Sequence, residues 1–273
     1  MFRTTPYSSH PQLIAVDLDG TLLTSNREID PEGAEALRQA VDSGVTVVIS
    51  TTRTLDSVRR LTDGIELQGP VVCANGAQVL SHAYGDLWLE RVVPEDMARS
   101  IAQRADTEGW NLVITAGMMT YYRDEDWRPG PCQKHVSQNV DALQGKVLRI
   151  LAYDRPAISG LRSFCASAYE GHYHLETYYY EDESVKSIGI YAPGADKGKG
   201  LAEVMRRLHL NRDHVMVIGD NQNDLPMFGR ARWRIAMGNG TLTTRAAATT
   251  VAPTHDENGV AWAVHRFVLD GLP

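Results

Sequence analysis

Four short segments of the chain carry side chains that could together bind a divalent cation and a phosphate group. In the first, residues 17–21, Asp17 and Asp19 stand two positions apart and are followed by Gly20 and Thr21. Carboxylate oxygens suit Mg²⁺, and a phosphate can complete its octahedral coordination. An acidic capping turn is the alternative interpretation. A calcium-binding loop is disfavoured, because the residues that follow do not supply its further ligands in register.

Two further segments could hold phosphate oxygens. Residues 50–53, Ser-Thr-Thr-Arg, follow an apolar run and offer hydroxyls and backbone amides. Residues 196–200 place Lys197 at the start of a predicted helix, where its ammonium could neutralise a phosphoryl group. A helix-capping turn and solvated surface lysines are the respective alternatives. The lysine segment lacks the spacing of a Walker A loop.

The fourth segment is acidic and follows another apolar run. Residues 219–224 read Gly-Asp-Asn-Gln-Asn-Asp, and Asp220 stands at the end of a predicted strand, as Asp17 does. Adjacent parallel strands would bring these two carboxylates together. Buried carboxylates are costly unless a cation compensates them, so the pairing favours a metal site.

Apolar, partly β-branched runs alternate with helical patterns towards both ends of the chain. This alternation predicts an α/β fold with a doubly wound parallel sheet. The strands are predicted at residues 13–16, 45–49, 71–74, 215–218 and 234–237. The helices are predicted at residues 30–44, 54–61, 197–210 and 223–229. Asp30 and Pro31 give the first helix an N-cap and a first-turn proline.

The middle of the chain has a different pattern, with aromatic-rich strands separated by two long helices. This order is typical of an α+β domain inserted into a loop of another domain. We therefore predict a core formed by residues 1–81 and 192–273, with an inserted α+β cap at residues 82–191.

Composition limits the classes of partner and compartment. The 273 residues are 43% hydrophobic and 22% charged, with a formal net charge of −7. The chain has no long run of like charges and no apolar segment of membrane-spanning length, so we expect neither nucleic acid nor a membrane as partner. The three scattered cysteines match no disulfide framework. We expect a cytoplasmic monomer or homodimer.

Taken in this order, the segments resemble the motifs of haloacid dehalogenase (HAD) superfamily phosphatases, especially the Cof-type branch with a large α/β cap. The family's DxDGT is matched by residues 17–21, its Thr/Ser by Thr51, its lysine by Lys197 and its GDxxND by residues 219–224. Asn75-Gly76 resembles the family's turn before the cap. The resemblance covers nearly the whole chain.

The resemblance implies Mg²⁺-dependent hydrolysis of a small phosphorylated metabolite, such as a sugar phosphate, through an aspartyl-phosphate intermediate. It implies that Asp17 is the nucleophile and Asp19 the acid/base, while Thr51 and Lys197 hold the phosphate. We expect substrate contacts from Thr52, Arg53, Asn75, Gly76 and Asn223. We expect metal ligation by Asp17, Asp19, Asp220 and Asp224.

Two departures from the family pattern and three rival functions stay open. Thr52 stands where the family usually has glycine, and residues 188–190 read Ile-Gly-Ile where it often has Leu-Glu-Ile. The cap residues that choose the substrate therefore cannot be transferred from the family. The rivals are a phosphotransferase or phosphomutase with a sugar hydroxyl as acceptor, a receiver-like phosphorylated signalling module, and a catalytically silent binding protein.

Overall fold

The computed structural model describes residues 10–65, 67–123 and 130–270. Its strands are β1 (Leu13–Val16), β2 (Thr46–Ser50), β3 (Val71–Cys73), β4 (Gln78–Leu80), β5 (Leu87–Glu90), β6 (Leu112–Ala116), β7 (Met119–Tyr122), β8 (Gln133–His135), β9 (Val147–Ala152), β10 (His174–Tyr179), β11 (Val185–Tyr191), β12 (Val215–Gly219), β13 (Trp233–Ala236) and β14 (Thr250–Val251). Its α-helices are α1 (Pro31–Asp42), α2 (Leu55–Leu61), α3 (Glu95–Glu108), α4 (Arg155–Ala168), α5 (Lys197–Arg207), α6 (Leu225–Phe228), α7 (Leu242–Ala247) and α8 (Gly259–Val264).

The larger sheet takes its strands from both ends of the chain, in the order β14-β13-β12-β1-β2-β3-β4-β5. The strands from β14 to β3 run parallel, and β4 and β5 add an antiparallel edge. The strand order reverses direction about β1, as in a doubly wound sheet. The predicted α/β fold class is confirmed.

Strand β1 is completely buried because helices cover both faces of the sheet. Leu13 and Ala15 pack in the cluster that contains residues of α5 and α6, while Ile14 and Val16 pack in the cluster with residues of α1 and α8. Alternating side chains thus enter two different apolar layers, which requires the uninterrupted apolar run seen in the sequence.

Side-chain caps start α1 and α5, two of the helices that cover the larger sheet. The Asp30 carboxylate accepts hydrogen bonds from the amides of Glu32 and Gly33, and Pro31 occupies the first turn of α1, as predicted. The Asp196 carboxylate accepts from the Lys199 amide at 2.7 Å and caps α5. Lys197 is thereby fixed at the first residue of that helix.

The second sheet comes from the middle of the chain, in the order β10-β11-β9-β6-β7-β8. Helices α3 and α4 cover one of its faces through an apolar cluster that includes Ile101 and Leu161. Its other face lies towards the larger sheet, where Leu151 and Tyr191 pack with Ala74 and Ala195. The cap sheet therefore sits over the carboxyl-terminal end of β3 and the start of α5.

Strand β5 begins beyond residue 81, where the sequence analysis placed the start of the inserted domain, yet it pairs with β4 of the larger sheet. The division into core and cap at residues 81 and 191 stays a prediction. Among the residues described, none of the helices combines the length and apolarity that a bilayer crossing requires.

Candidate active site

The strand order places the predicted site residues side by side. Strands β12, β1, β2 and β3 are neighbours, and at or just beyond their carboxyl ends stand Asp220, Asp17, Thr51 and Asn75 respectively. Val16 pairs in register with Ile49 and Ile218, so these strands end at the same level. Ligand sites of open α/β sheets lie at this edge.

A fully buried lysine joins two of the aspartates. Lys197 Nζ lies 2.9 Å from Asp17 Oδ1 and 2.7 Å from Asp224 Oδ1, and the lysine side chain has no exposed surface. The alternative interpretation of this segment, that its lysines are solvated surface residues, is therefore wrong for Lys197. It fits Lys199, whose side chain is 53% exposed.

The acidic loop after β12 is held by its own aspartate. Asp224 Oδ2 accepts hydrogen bonds from the amides of Asp220 and Asn221 at 3.0 and 3.1 Å, while Oδ1 accepts from Lys197. Asp220 Oδ1 accepts from the Thr21 hydroxyl at 3.1 Å, which ties this loop to the first motif. Asp224 thus has hydrogen bonds on both oxygens, whereas Asp220 has this one side-chain donor.

Asp17, Asp220 and Asp224 each offer a carboxylate oxygen, and these three atoms lie within 4.8 Å of one another. Oxygen-only ligands of this kind suit a hard divalent cation such as Mg²⁺. Among the described residues, these three carboxylates face one ammonium, that of Lys197, so the site has an excess of negative charge that a cation would compensate. The residues present therefore fit the metal that the sequence predicts.

The protonation equilibria reflect this excess charge. Burial raises the pKa of Asp17 to about 7, against the attraction of Lys197. Burial and the neighbouring carboxylates, first among them Asp224, raise the pKa of Asp220 well above its ordinary value. For Lys197, burial lowers the pKa, but the charges of Asp17 and Asp224 outweigh it and the net shift is upward. The lysine is therefore the fixed charge of the site.

Gly20 allows the first motif to approach the acidic loop. Its φ is +76°, and a Cβ atom there would lie 2.5 Å from Asp220 Oδ2. Any larger residue would be strained in this left-handed conformation and would also displace the Asp220 carboxylate. Backbone conformation and the close approach of Asp220 thus both require glycine at this position of the DxDGT pattern.

The Asp19 carboxylate lies outside the three-carboxylate group and pairs with Arg53 instead. Arg53 Nε donates to Oδ2 at 2.7 Å and Nη2 donates to Oδ1 at 2.5 Å. The Asp19 side chain is 49% exposed, so it stands at the mouth of the site while Asp17 is buried. The structure therefore does not place the Asp19 side chain in the group formed by Asp17, Asp220 and Asp224. Its role as a metal ligand stays a prediction.

The other predicted site residues line the same edge with different exposures. Thr51 is fully buried, and its hydroxyl accepts from the Arg53 amide at 3.1 Å. Asn75 is also fully buried, and its amide donates to the Thr51 carbonyl at 3.0 Å. Gly76, with φ at +84°, packs so closely on the Asp196 carbonyl that a Cβ would lie 2.2 Å from it. Asn223 is buried in the acidic loop.

Sequence reasoning missed two cap residues that reach the core. Arg149 of β9 donates to the Thr52 carbonyl, and Glu176 of β10 accepts from Asn75 Nδ2 at 3.2 Å. Neither belongs to a motif, so only the packing of the two sheets identifies them. The sole sequence signal was a pair of polar residues, His174 and Glu176, two apart and therefore on one face of a strand.

The hairpin of β10 and β11 also contacts the acidic loop. Asn221 Nδ2 donates to the Tyr179 carbonyl at 3.0 Å. At the tip of the hairpin, Glu183 Oε1 accepts from the Thr243 hydroxyl at 2.6 Å and from its amide at 3.0 Å. The cap thus closes over the edge where the three carboxylates lie.

Comparison with known proteins is consistent with this geometry. A family model described as haloacid dehalogenase-like hydrolase matches residues 14–264. The 5-amino-6-(5-phospho-D-ribitylamino)uracil phosphatase YcsE of Bacillus subtilis is 29% identical over 265 residues, which cover 94% of this chain and 96% of that protein. Phosphatase YwpJ of Bacillus subtilis is 25% identical, over 92% of this chain and 97% of that protein.

A solved haloacid dehalogenase-like hydrolase from Bacteroides thetaiotaomicron has the same fold. It superposes with a TM-score of 0.81 at 22% identity and covers 94% of this chain and 99% of that one.

Proposed function

The chain belongs to the haloacid dehalogenase-like hydrolases, and on this basis we propose that it is a Mg²⁺-dependent phosphatase of small phosphorylated metabolites. The observation that carries the proposal is the buried Lys197, which lies between Asp17 and Asp224 beside Asp220. This arrangement offers one carboxylate nucleophile, one fixed cation and the ligands of a second cation at the same strand end. The curated relatives named as phosphatases support the reaction class.

In the proposed reaction, Asp17 attacks the phosphorus atom, and its oxygen forms the new bond as the bond to the leaving oxygen breaks. Lys197 stabilises the negative charge on the phosphoryl oxygens, and the hydroxyl of Thr51 orients them. Water then cleaves the aspartyl phosphate and releases inorganic phosphate, which restores the Asp17 carboxylate. The first step needs an ionised Asp17, because only the carboxylate is nucleophilic, and in the second step Asp17 leaves as that carboxylate.

Asp19 is the proposed acid/base, since it is the exposed carboxylate at the mouth of the site. It gives a proton to the leaving oxygen in the first step and takes one from water in the second. In this structure both of its oxygens accept hydrogen bonds from Arg53, so the guanidinium must release at least one oxygen before that transfer. Arg53 is thus placed to hold Asp19 until substrate enters.

Bound to the Asp17, Asp220 and Asp224 cluster, Mg²⁺ would compensate the charge of the carboxylates and of the phosphate dianion. The preferred substrates are proposed to be phosphate esters of sugars or polyols. The relative YcsE supports this class, because the substrate for which that phosphatase is named carries a 5-phospho-D-ribitylamino group.

The test separates the two aspartates of the first motif by pre-steady-state kinetics with p-nitrophenyl phosphate and Mg²⁺. Asp17→Asn should release no phosphate. Asp19→Asn should still be phosphorylated, because p-nitrophenolate needs little protonation, but its intermediate should hydrolyse about 10²–10⁴-fold more slowly. For Asp19→Asn we expect a burst of p-nitrophenol near one equivalent per enzyme, followed by slow steady-state turnover, with covalent phosphate on Asp17.

Full activity of Asp17→Asn, or wild-type turnover in excess chelator, would overturn the proposed function. Inorganic phosphate as the dominant product in the presence of sugar acceptors separates a phosphatase from a phosphotransferase.

A further inference from the structure

A small group of polar side chains joins the cap to the core beside the phosphate-binding edge. Asn75, whose amide is bonded to the Thr51 carbonyl, donates from Nδ2 to Glu176 Oε2 at 3.2 Å. His174 Nε2 lies 3.2 Å from the same oxygen. Glu176 and His174 both belong to β10 and stand on one face of it. This group leads from the phosphoryl site into the cap, where a leaving group must lie.

The free atoms of this group are hydrogen-bond acceptors. No described residue donates to Glu176 Oε1, although the side chain is only 14% exposed. Asn75 is completely buried, and its Oδ1 finds no partner among the described residues. A buried acceptor without a donor costs free energy, so Asn75 Oδ1 marks a place where a bound molecule supplies the donor. Glu176 is bonded to the same Asn75 side chain and has a free acceptor oxygen for a second donor.

We propose that Glu176 is the specificity-determining residue for the leaving group and selects neutral, hydroxyl-bearing groups over anionic ones. The inference rests on the proposed phosphatase function and deepens it. A hydroxyl of a sugar or polyol donates to Glu176 Oε1, and Asn75 Oδ1 takes a second donor of the same molecule. A leaving group that carries a carboxylate or a second phosphate would instead face the Glu176 carboxylate and is repelled.

The contact of Glu176 with Asn75 could also serve only to keep the cap closed. A purely structural contact would affect all substrates alike, because every phosphate ester needs the same closed site. Recognition of the leaving group would change the ratio between substrates, in opposite directions for neutral and anionic groups. The experiment is therefore built on ratios of kcat/KM within one enzyme.

The substrates are D-ribitol 5-phosphate, with a neutral hydroxylated leaving group, 2-phosphoglycolate, with an anionic one, and p-nitrophenyl phosphate as the common reference. The variant is Glu176→Gln, which removes the charge at nearly constant volume. Glu181→Gln is the matched control, because Glu181 is an exposed glutamate in the same hairpin. Circular dichroism and thermal unfolding check that both variants fold.

In Glu176→Gln, kcat/KM for D-ribitol 5-phosphate relative to the reference should fall roughly 5- to 12-fold, because the glutamine oxygen still accepts a hydrogen bond but the strengthening by the charge is lost. The relative value for 2-phosphoglycolate should rise. Glu181→Gln should match the wild type in both ratios.

Equal changes for all three substrates in Glu176→Gln would overturn the inference and leave the phosphatase function intact. Unchanged ratios would overturn it in the same way. A wild-type enzyme that hydrolyses none of the three esters would overturn the proposed function first.

If Glu176→Gln does not fold, Glu176→Asp is measured in its place, because it keeps the charge but withdraws it from the core. It should lower the D-ribitol 5-phosphate ratio without raising that for 2-phosphoglycolate, and an unchanged ratio would overturn the inference.

Discussion

Replacing Lys197 by methionine should destabilise the protein and slow turnover about 10²–10³-fold, because the ammonium is the only protein cation bonded to Asp17 or Asp224 in the described part of the chain. Methionine retains the length of the side chain but leaves two buried carboxylates without their partner at 2.9 and 2.7 Å. Breaking a buried ion pair from one side typically costs about 3–5 kcal/mol. At about 2–4 °C per kcal/mol for a chain of this size, Tm should fall by roughly 6–20 °C.

Added Mg²⁺ should recover part of this loss, since the metal supplies positive charge to the same carboxylates. A cation at one hundred times its Kd stabilises a folded protein by about 2.7 kcal/mol. Turnover should not recover, because the loss of one preorganised charge at a phosphoryl group costs about 10²–10³ in kcat. The assay is differential scanning calorimetry with and without Mg²⁺, together with phosphate release.

The control is Lys199→Met, two residues further along α5. Lys199 is 53% exposed and pairs with Asp196 at 3.5 Å, so its removal should change Tm by little. A Lys197→Met protein with the Tm and kcat of Lys199→Met would refute the reasoning that the buried ammonium balances the aspartates.

Two further predictions concern the carboxylate cluster. Gly20→Ala should retain the fold but lose about 10- to 100-fold in Mg²⁺-dependent turnover, because the new Cβ would stand 2.5 Å from Asp220 Oδ2 and displace that carboxylate. Isothermal titration should show weaker Mg²⁺ binding, and unchanged affinity would contradict the role of Gly20 in placing Asp220. The second prediction concerns pH without Mg²⁺. The pKa of Asp17 is raised from 3.8 to about 7, so its contribution to stability is fully present below pH 3.8 and is lost as pH rises through about 7. The Tm of metal-free protein should therefore decline between about pH 4 and pH 7 more steeply than that of Asp17→Asn, and saturating Mg²⁺ should flatten the decline. Equal slopes in the two proteins would contradict the raised pKa.

The positions of the strand ends could be predicted from the sequence, because each is determined by a few neighbouring residues. The apolar runs that end at residues 16, 49 and 218 predict buried parallel strands, and Asp17, Thr51 and Asp220 follow them within two positions, in the polar turns. The cap of α1 by Asp30 and Pro31 is equally local. Parallel strands of one sheet end at one edge, so these short patterns were sufficient to predict that the acidic residues meet.

Contacts between distant segments were decided only by the tertiary structure. The bond between Asn75 and Glu176 joins residues 101 positions apart, and the pair of Asp19 and Arg53 joins residues 34 apart. The burial of Lys197, in contrast to the exposure of Lys199, depends on how α5 packs against the acidic loop. Hydrogen bonds and burial depend on where side chains lie in space. For these residues the packing of the two sheets fixes that position, and no periodic pattern along the chain predicts it.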